Sequence, residues 1–350
     1  MFRNIIELMN KTLTALAGVK VGHSTHEDKL TGCTFILFDK DYPVAYKSYG
    51  GAPGTYSTEN LKDGMSFSTR DGLFVSGGSL NGLTCATTIT QRLIDKKLGL
   101  KIGNSVMPAI SGAIVRDLGL EVAQFEAIYG AEAVDNLSSE PVQNGNVGAG
   151  TGTSVGKFSY TKDGLMLGMK SGVGSSRVDL GNNVMVCALS VVNALGNVVL
   201  PDGKILAGNR HDMESSRFRT FESSSDFLTG KASNTTISIV GTNIDLGNHE
   251  NYERVAHIAS HGQVRAINPV HTSVDGDTIF VFSTREIKDF LNPLGKDISS
   301  KGWPNLNIDI IGQAAARAVQ ESIYDSCRQA KSISYSKAFR NTVPSNTDYQ

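Results

Sequence analysis

Residues 211–245 read HDMESSRFRTFESSSDFLTGKASN and then TTISIVGTNID, and the change of character between Asn234 and Thr235 organises the chain. The upstream part holds six serines and seven charged residues with no sustained helix or strand period, the mark of an exposed mobile loop spanning 211–234. The downstream part is rich in Thr, Ile and Val, residues that suit a half-buried pleated surface, and begins without a Gly or Pro turn signal. A strand that starts on a hydroxyl residue after such a leader can be made by cutting the chain before Thr235. A freed N-terminal Thr carries nucleophile and amine base on one residue. On these residues alone two plainer readings stay open: a Thr that merely starts a strand, and an N-glycosylation sequon in Asn234-Thr235-Thr236.

Working outward, the C-terminal flank reads as a helix over Glu250 to Ala266, then Pro269 to Asp277 with an Asp275-Gly276 turn, then a strong strand. Asp275 and Asp277 beside that strand start can orient an amine or hydroxyl, or simply form a hairpin turn. His257 and His261 stand four apart on the helix, but Ile258 replaces the Glu of a zinc helix and no third ligand is evident, so no metal is expected. Asn307 to Ala330 has an amphipathic helical pattern, and 331–350 reads as a polar, disordered tail.

On the N-terminal flank, residues 17–48 alternate short apolar runs with turn residues, as an antiparallel strand pair does. Gly50-Gly51-Ala52-Pro53-Gly54-Thr55 is too glycine-rich for a regular element and reads as a loop beneath a site or a surface turn. Gly72 to Ser76 is a strand, Gly77-Gly78-Ser79 a tight turn, and Asn81 to Leu98 a helix. That order resembles a nucleophile elbow, yet Asn81 stands where the second glycine belongs, so Ser79 is a secondary candidate nucleophile and the turn amides a candidate anion site. Glu121 to Leu137 has helical spacing. The run Gly148 to Lys157 satisfies neither phosphate-loop pattern, which leaves Lys157 for charge work in a site or as a solvated lysine. Asn183 to Val192 is a continuous apolar strand, ending at Asn193, a candidate oxyanion donor or a locally bonded amide.

Composition bounds the answer. A length of 350 residues supports a large α/β domain, and 33 basic against 34 acidic residues argue against nucleic acid or an anionic membrane as partner. The four cysteines, Cys33, Cys85, Cys187 and Cys327, are scattered and apolar in context, which favours reduced thiols and a cytoplasmic setting. No apolar run is long enough for a membrane span, and Glu7, Asn10 and Lys11 interrupt the leader.

The ordered motifs GGAPGT, VSGGS, GAGTGTSVGK, GVGSSR, NALGNV, NTTISIV and HGQVRAINPVHT with DGDTIF resemble the P1 family of self-processing aminopeptidases. That family includes L-aminopeptidase/D-esterases, β-peptidyl aminopeptidases and nylon-oligomer hydrolases, and the Asn-Thr-Thr context is most similar to the nylon-oligomer branch. The resemblance covers Val19 to Ala330. It implies an α/β fold, a four-layer αββα sandwich with two central sheets. The chain would be cut into an α fragment, 1–234, and a β fragment, 235–350, forming one structural domain. It also implies Thr235 as nucleophile with Asn193, Lys157, Asp275 and Asp277 around it; Gly77, Gly78, Ser79 and Arg116 are expected against substrate. No cofactor is implied, the substrate is a small amide or peptide, and the two-fragment unit is expected to form homo-oligomers. Ser273 and Arg116 depart from the nylon-oligomer pattern, which bears on specificity. The alternatives to this self-processing N-terminal-threonine hydrolase are a serine hydrolase at Ser79 and an uncut ligand-binding protein.

Overall fold

The computed structural model describes residues 10–66, 68–162, 164–212, 217–223, 234–288, 306–334 and 343–349. Nine strands form its main sheet: β1 (Val19–His26), β2 (Thr31–Ser48), β3 (Thr55–Tyr56), β4 (Thr69–Ser76), β5 (Ile110–Ile114), β6 (Val173–Gly181), β7 (Val184–Asn193), β8 (Thr235–Ile244) and β9 (Thr278–Ile287). Hydrogen bonds run in the order β6-β7-β8-β9-β2-β4-β5-β3, with β1 also paired to β2. The sheet is mixed. β8 is antiparallel to β7 but parallel to β9, and β4 is parallel to β5.

A sandwich with two central sheets was expected, and in the structure one continuous hydrogen-bonded ladder joins all nine strands. The reason is β2, which is 18 residues long and shifts register between Leu37 and Tyr42. Its first half pairs with β1 and β4, and its last residues, Val44 to Ser48, pair with β9.

Among the described residues four helices flank the sheet: α1 (Cys85–Asp95), α2 (Ile128–Asp135), α3 (His249–Ala266) and α4 (Leu306–Arg328). Three large apolar clusters among the described residues hold the sheet and helices together, and a small fourth gathers Leu30, Leu118, Met166 and Val343. One joins α3 and α4 to Val186, Ala188, Val240 and Val281 of the sheet. A second gathers Ile36, Val44, Leu73 and Val75 against Cys187, Leu189, Ile237, Ile239 and Phe280. The third packs Phe35 and Phe74 on Cys85, Ile89 and Tyr129 of α1 and α2. All ten residues of β8 are buried, so its two faces serve the first two clusters alternately: Val240 and Ile244 the helices, Ile237 and Ile239 the inner cluster. The four cysteines are buried and free.

Two elements correct the expectations. The helix foreseen over Glu121 to Leu137 is only Ile128–Asp135: Glu121 ends a 3-10 turn from Leu118, and Phe125, between the two, packs on Gly78, where a Cβ would fall 2.2 Å from its ring. The stretch foreseen as a disordered tail includes packed chain. Val343 is buried and bridges Ile333, Pro344 accepts a hydrogen bond from the Lys170 amide at 2.8 Å, and a short 3-10 helix spans Asn346–Tyr349. Residues 335–342 of that stretch lie outside the described set, as do 213–216 and 224–233 of the expected loop. Among the described residues no helix is long and apolar enough to cross a membrane.

Candidate active site

The site grows from the start of β8. Thr235 is directly opposite Asn193 in the antiparallel β7–β8 ladder. Such partners hold their Cβ atoms roughly 4.5–5.5 Å apart. Both share the inner face with Ile237, Ile239, Leu189 and Val191, by strand alternation. A continuous apolar strand thus ends by presenting an amide beside a hydroxyl, with Thr235 at 3% and Asn193 at 0% exposure.

With the Asn234–Thr235 peptide in place, the Thr235 hydroxyl lies 2.5 Å from the Asn234 carbonyl oxygen. That same oxygen accepts the Gly276 N–H at 2.7 Å, while the Asn234 N–H donates to Val274 O at 3.1 Å. The carbonyl preceding the candidate nucleophile is therefore both under its hydroxyl and polarised by a fixed amide. Gly276 was not anticipated. The structure shows why a glycine stands here: a Cβ would sit 2.7 Å from Thr235 Oγ1 and 2.9 Å from Ala52 O. The Gly50–Gly51 loop makes this approach possible, since Tyr49, Gly51 and Ala52 amides bind the carbonyls of Asp277, Thr272 and Asp275 at 2.8–3.0 Å.

Asp277 and Asp275 differ in what they do. Asp277 uses Oδ1 to accept the Thr236 N–H at 2.6 Å and Oδ2 to accept the His271 amide and Nδ1 at 3.0 and 2.9 Å. Fully engaged, it clamps the backbone just after Thr235. Asp275 binds Thr272 through Oδ2, whereas its buried Oδ1 has no hydrogen-bond partner among the described residues. Burial, helped by the neighbouring Asp277 charge, pushes its pKa up to about 6. His271 is a second residue that sequence reasoning missed. Its ring stacks on Tyr49 at 5.1 Å and fixes Asp277.

Lys157 is buried rather than solvated, and its Nζ donates to the Asn193 carbonyl at 2.8 Å. Burial lowers its pKa to about 7, against the opposing pull of Asp275 and with a further push from Arg116. Asn193 Nδ2 donates to Arg116 O at 2.8 Å and Oδ1 accepts the Ser154 amide at 3.2 Å, which leaves one Nδ2 hydrogen to offer. Arg116 is thus tied to the group through its backbone.

The Gly77-Gly78-Ser79 turn does not present the free amides expected of an anion site. Gly77 N–H binds Gly32 O, Gly78 N–H binds Asp117 Oδ1, and Ser79 N–H binds Val115 O, at 2.9–3.1 Å. The turn borders the site through Val115 to Asp117. Among the described residues the Ser79 hydroxyl has no hydrogen-bond partner to activate it. His257 and His261 stack edge to face on α3, where Tyr49 meets His257 Nδ1 at 3.3 Å. Among the described residues no three His, Cys, Asp or Glu side chains gather as a metal site.

The sequence profile of peptidase family S58 matches residues 11–340. The chain belongs to peptidase family S58. This S58 hydrolase is 29% identical over 299 residues to an uncharacterized aminopeptidase of Mycobacterium leprae, covering 79% of each chain. It is 27% identical over 325 residues to the 6-aminohexanoate-oligomer endohydrolase of a Kocuria species, covering 89% of this chain and 84% of that one. Among solved structures, the S58 chain is similar to the L-aminopeptidase D-Ala-esterase/amidase of Ochrobactrum anthropi, with a TM-score of 0.64 at 19% identity over 96% and 90% of the two chains. A β-aminopeptidase of a Burkholderia species gives a TM-score of 0.66 at 17% identity, again over 96% and 90%. These likenesses make the fold of the S58 chain Ntn-hydrolase-like, a mixed α/β sheet flanked by helices.

Proposed function

We propose that this hydrolase is an N-terminal-threonine amidase that matures by cutting its own chain between Asn234 and Thr235. The observation that carries the reading is the pairing of Thr235 Oγ1 with a carbonyl already held by Gly276 N–H. In maturation, Oγ1 attacks the Asn234 carbonyl carbon, the C–N bond breaks, and the hydroxyl proton ends on the new Thr235 amine. Water then hydrolyses the ester, leaving a carboxylate on Asn234 and restoring the hydroxyl. The αββα layering implied by the family resemblance is supported by the three apolar clusters, and the fragments 1–234 and 235–350 would stay joined through them.

In turnover the Thr235 amine, with an ordinary pKa of roughly 7.7–8.0, takes the hydroxyl proton as Oγ1 attacks a substrate amide. Asn193 Nδ2 and Gly276 N–H supply the oxyanion donors, each worth about 10²–10³ in kcat where such donors have been removed. Collapse returns the proton to the leaving amine, and water releases the acyl group. Lys157, close to neutrality in its buried position, tunes the amine and the anion, and Asp277 keeps the β8 start in place. The substrates are small peptide or oligoamide bonds.

The test is Thr235→Ala beside Thr235→Ser. Alanine should leave a single 350-residue chain without amidase activity, and serine should retain part of both reactions. Two fragments from the alanine variant, or an uncut wild-type chain that hydrolyses amides, would refute the assignment.

A further inference from the structure

We infer that the Val274–Gly276 edge is the acyl-side subsite, and that it selects amides of α-amino acids with a free amine over β- or ω-aminoacyl amides. The inference rests on Thr235 being the nucleophile proposed above. In the uncut chain Asn234 occupies this edge as an internal substrate. It forms a one-residue bridge beside Asp275, its carbonyl accepting the Gly276 N–H at 2.7 Å and its own N–H reaching Val274 O at 3.1 Å. Acceptor and donor on the edge are thus spaced for a nitrogen and a carbonyl that flank a single carbon.

An incoming α-aminoacyl group that sets its scissile carbonyl on Gly276 N–H places its α-nitrogen on Val274 O. A β-aminoacyl group inserts one more carbon and a 6-aminohexanoyl group four more, each moving the nitrogen along by about 1.3 Å in an extended chain. Neither keeps both hydrogen bonds in the same register.

The charge agrees with the register. A free α-amine arrives as an ammonium, and the neighbouring carboxylate oxygen without a partner is Asp275 Oδ1, buried in the residue that bridges Asn234. Buried acceptors left unpaired are costly, so an ammonium that satisfies Oδ1 gains a charge-assisted bond and relieves that cost together. Asp275 Oδ2 is held by the amide and hydroxyl of Thr272, at 2.8 and 2.7 Å, which fixes the carboxylate rather than consuming it.

The experiment compares kcat/KM of the matured wild-type protein on p-nitroanilides of alanine, leucine, β-alanine, 6-aminohexanoic acid and N-acetyl-alanine. Alanine and leucine anilides should exceed the β-alanine and 6-aminohexanoyl compounds by about tenfold to a hundredfold, the worth of one hydrogen bond to a charged group. N-acetyl-alanine, which keeps the N–H but loses the charge, should fall by a similar factor. A cut, Thr235-dependent enzyme that turns over the β-alanine or 6-aminohexanoyl compound as fast as alanine overturns the subsite and leaves the nucleophile standing. Activity that survives Thr235→Ala, or a cut chain that hydrolyses none of the five, overturns the nucleophile and the subsite with it.

Discussion

Replacing Gly276 by alanine presses on the candidate nucleophile first and, more weakly, on the Ala52 carbonyl. The backbone there lies outside the left-handed region, so alanine is conformationally allowed, and the N–H that holds the Asn234 carbonyl is retained. What changes is one methyl group, which would lie 2.7 Å from Thr235 Oγ1 and 2.9 Å from Ala52 O, where ordinary contact begins at 3.4 Å. The hydroxyl must therefore retreat by about 0.7 Å, the difference of those two distances. A misplacement of about 1 Å costs on the order of 10²-fold in rate, so Gly276→Ala should slow both maturation and amide hydrolysis by roughly ten- to thirtyfold. Thr235 cannot escape cheaply, since β-branching restricts its χ1 and its strand is packed on both faces. Maturation is read by intact mass over time after synthesis, turnover with an aminoacyl anilide, and folding by thermal melting, where overpacking costs about 1–3 kcal/mol. A Gly276→Ala protein that melts like wild type and cuts itself at the wild-type rate would show that Oγ1 does not act from this position.

Lys157→Met should abolish most turnover yet flatten a pH dependence of stability. Lys157 has a folded pKa of about 7 against an ordinary 10.5, so between those values the unfolded chain binds the extra proton and stability rises with pH, by roughly 1.4 kcal/mol per unit. Denaturant melts from pH 6 to 10 should lose that slope in the variant, and an unchanged slope would refute the burial argument. His271→Ala should slow maturation and kcat with little change in KM, whereas His271→Asn, whose side-chain amide can still donate to Asp277 Oδ2, should recover most of the loss. Equal behaviour of the two variants would reduce His271 to packing. Chelators should leave the rate unchanged, because in the proposed mechanism the Thr235 amine and the fixed donors would carry the proton and the charge. Loss of activity with EDTA and its return with zinc would overturn that.

Much of the candidate site was legible because its polar side chains stand at the ends of regular patterns. The apolar run stopping at Asn193 and the Thr-rich run starting at Thr235 announce strand ends, and a cross-strand pair brings them together. Lys157 was visible as a charge after a glycine run, though only the fold shows that it is buried. Gly276 and Val274 were illegible because their work is done by backbone atoms, which carry no side-chain signature. The same holds for the turn at Gly77 to Ser79, whose amides looked available until Asp117, 39 positions beyond Gly78, was found to bind one of them. His271 was hidden by its neighbours: in Val270-His271-Thr272 nothing shows that its ring will stack on Tyr49, more than two hundred residues earlier in the chain. The bend in β2 likewise depends on which strands flank it, so one continuous ladder could not be told from two.

The strand order β6-β7-β8-β9-β2 has a further consequence for the life of the molecule. A cut before Thr235 puts β8 and β9 on the younger fragment, yet they lie between β7 and β2 of the older one. They are fastened by eight cross-strand pairs on one side and five on the other. Neither piece can leave without opening the sheet down its middle, and a separated C-terminal piece would have no complete core to fold around. Two mature molecules should therefore never trade halves. A molecule cut there and then unfolded would have lost the continuous chain that drew its strands into order. Maturation would then be irreversible in two senses, of a bond and of a folding route, and the cell could replace such an enzyme only by making it anew.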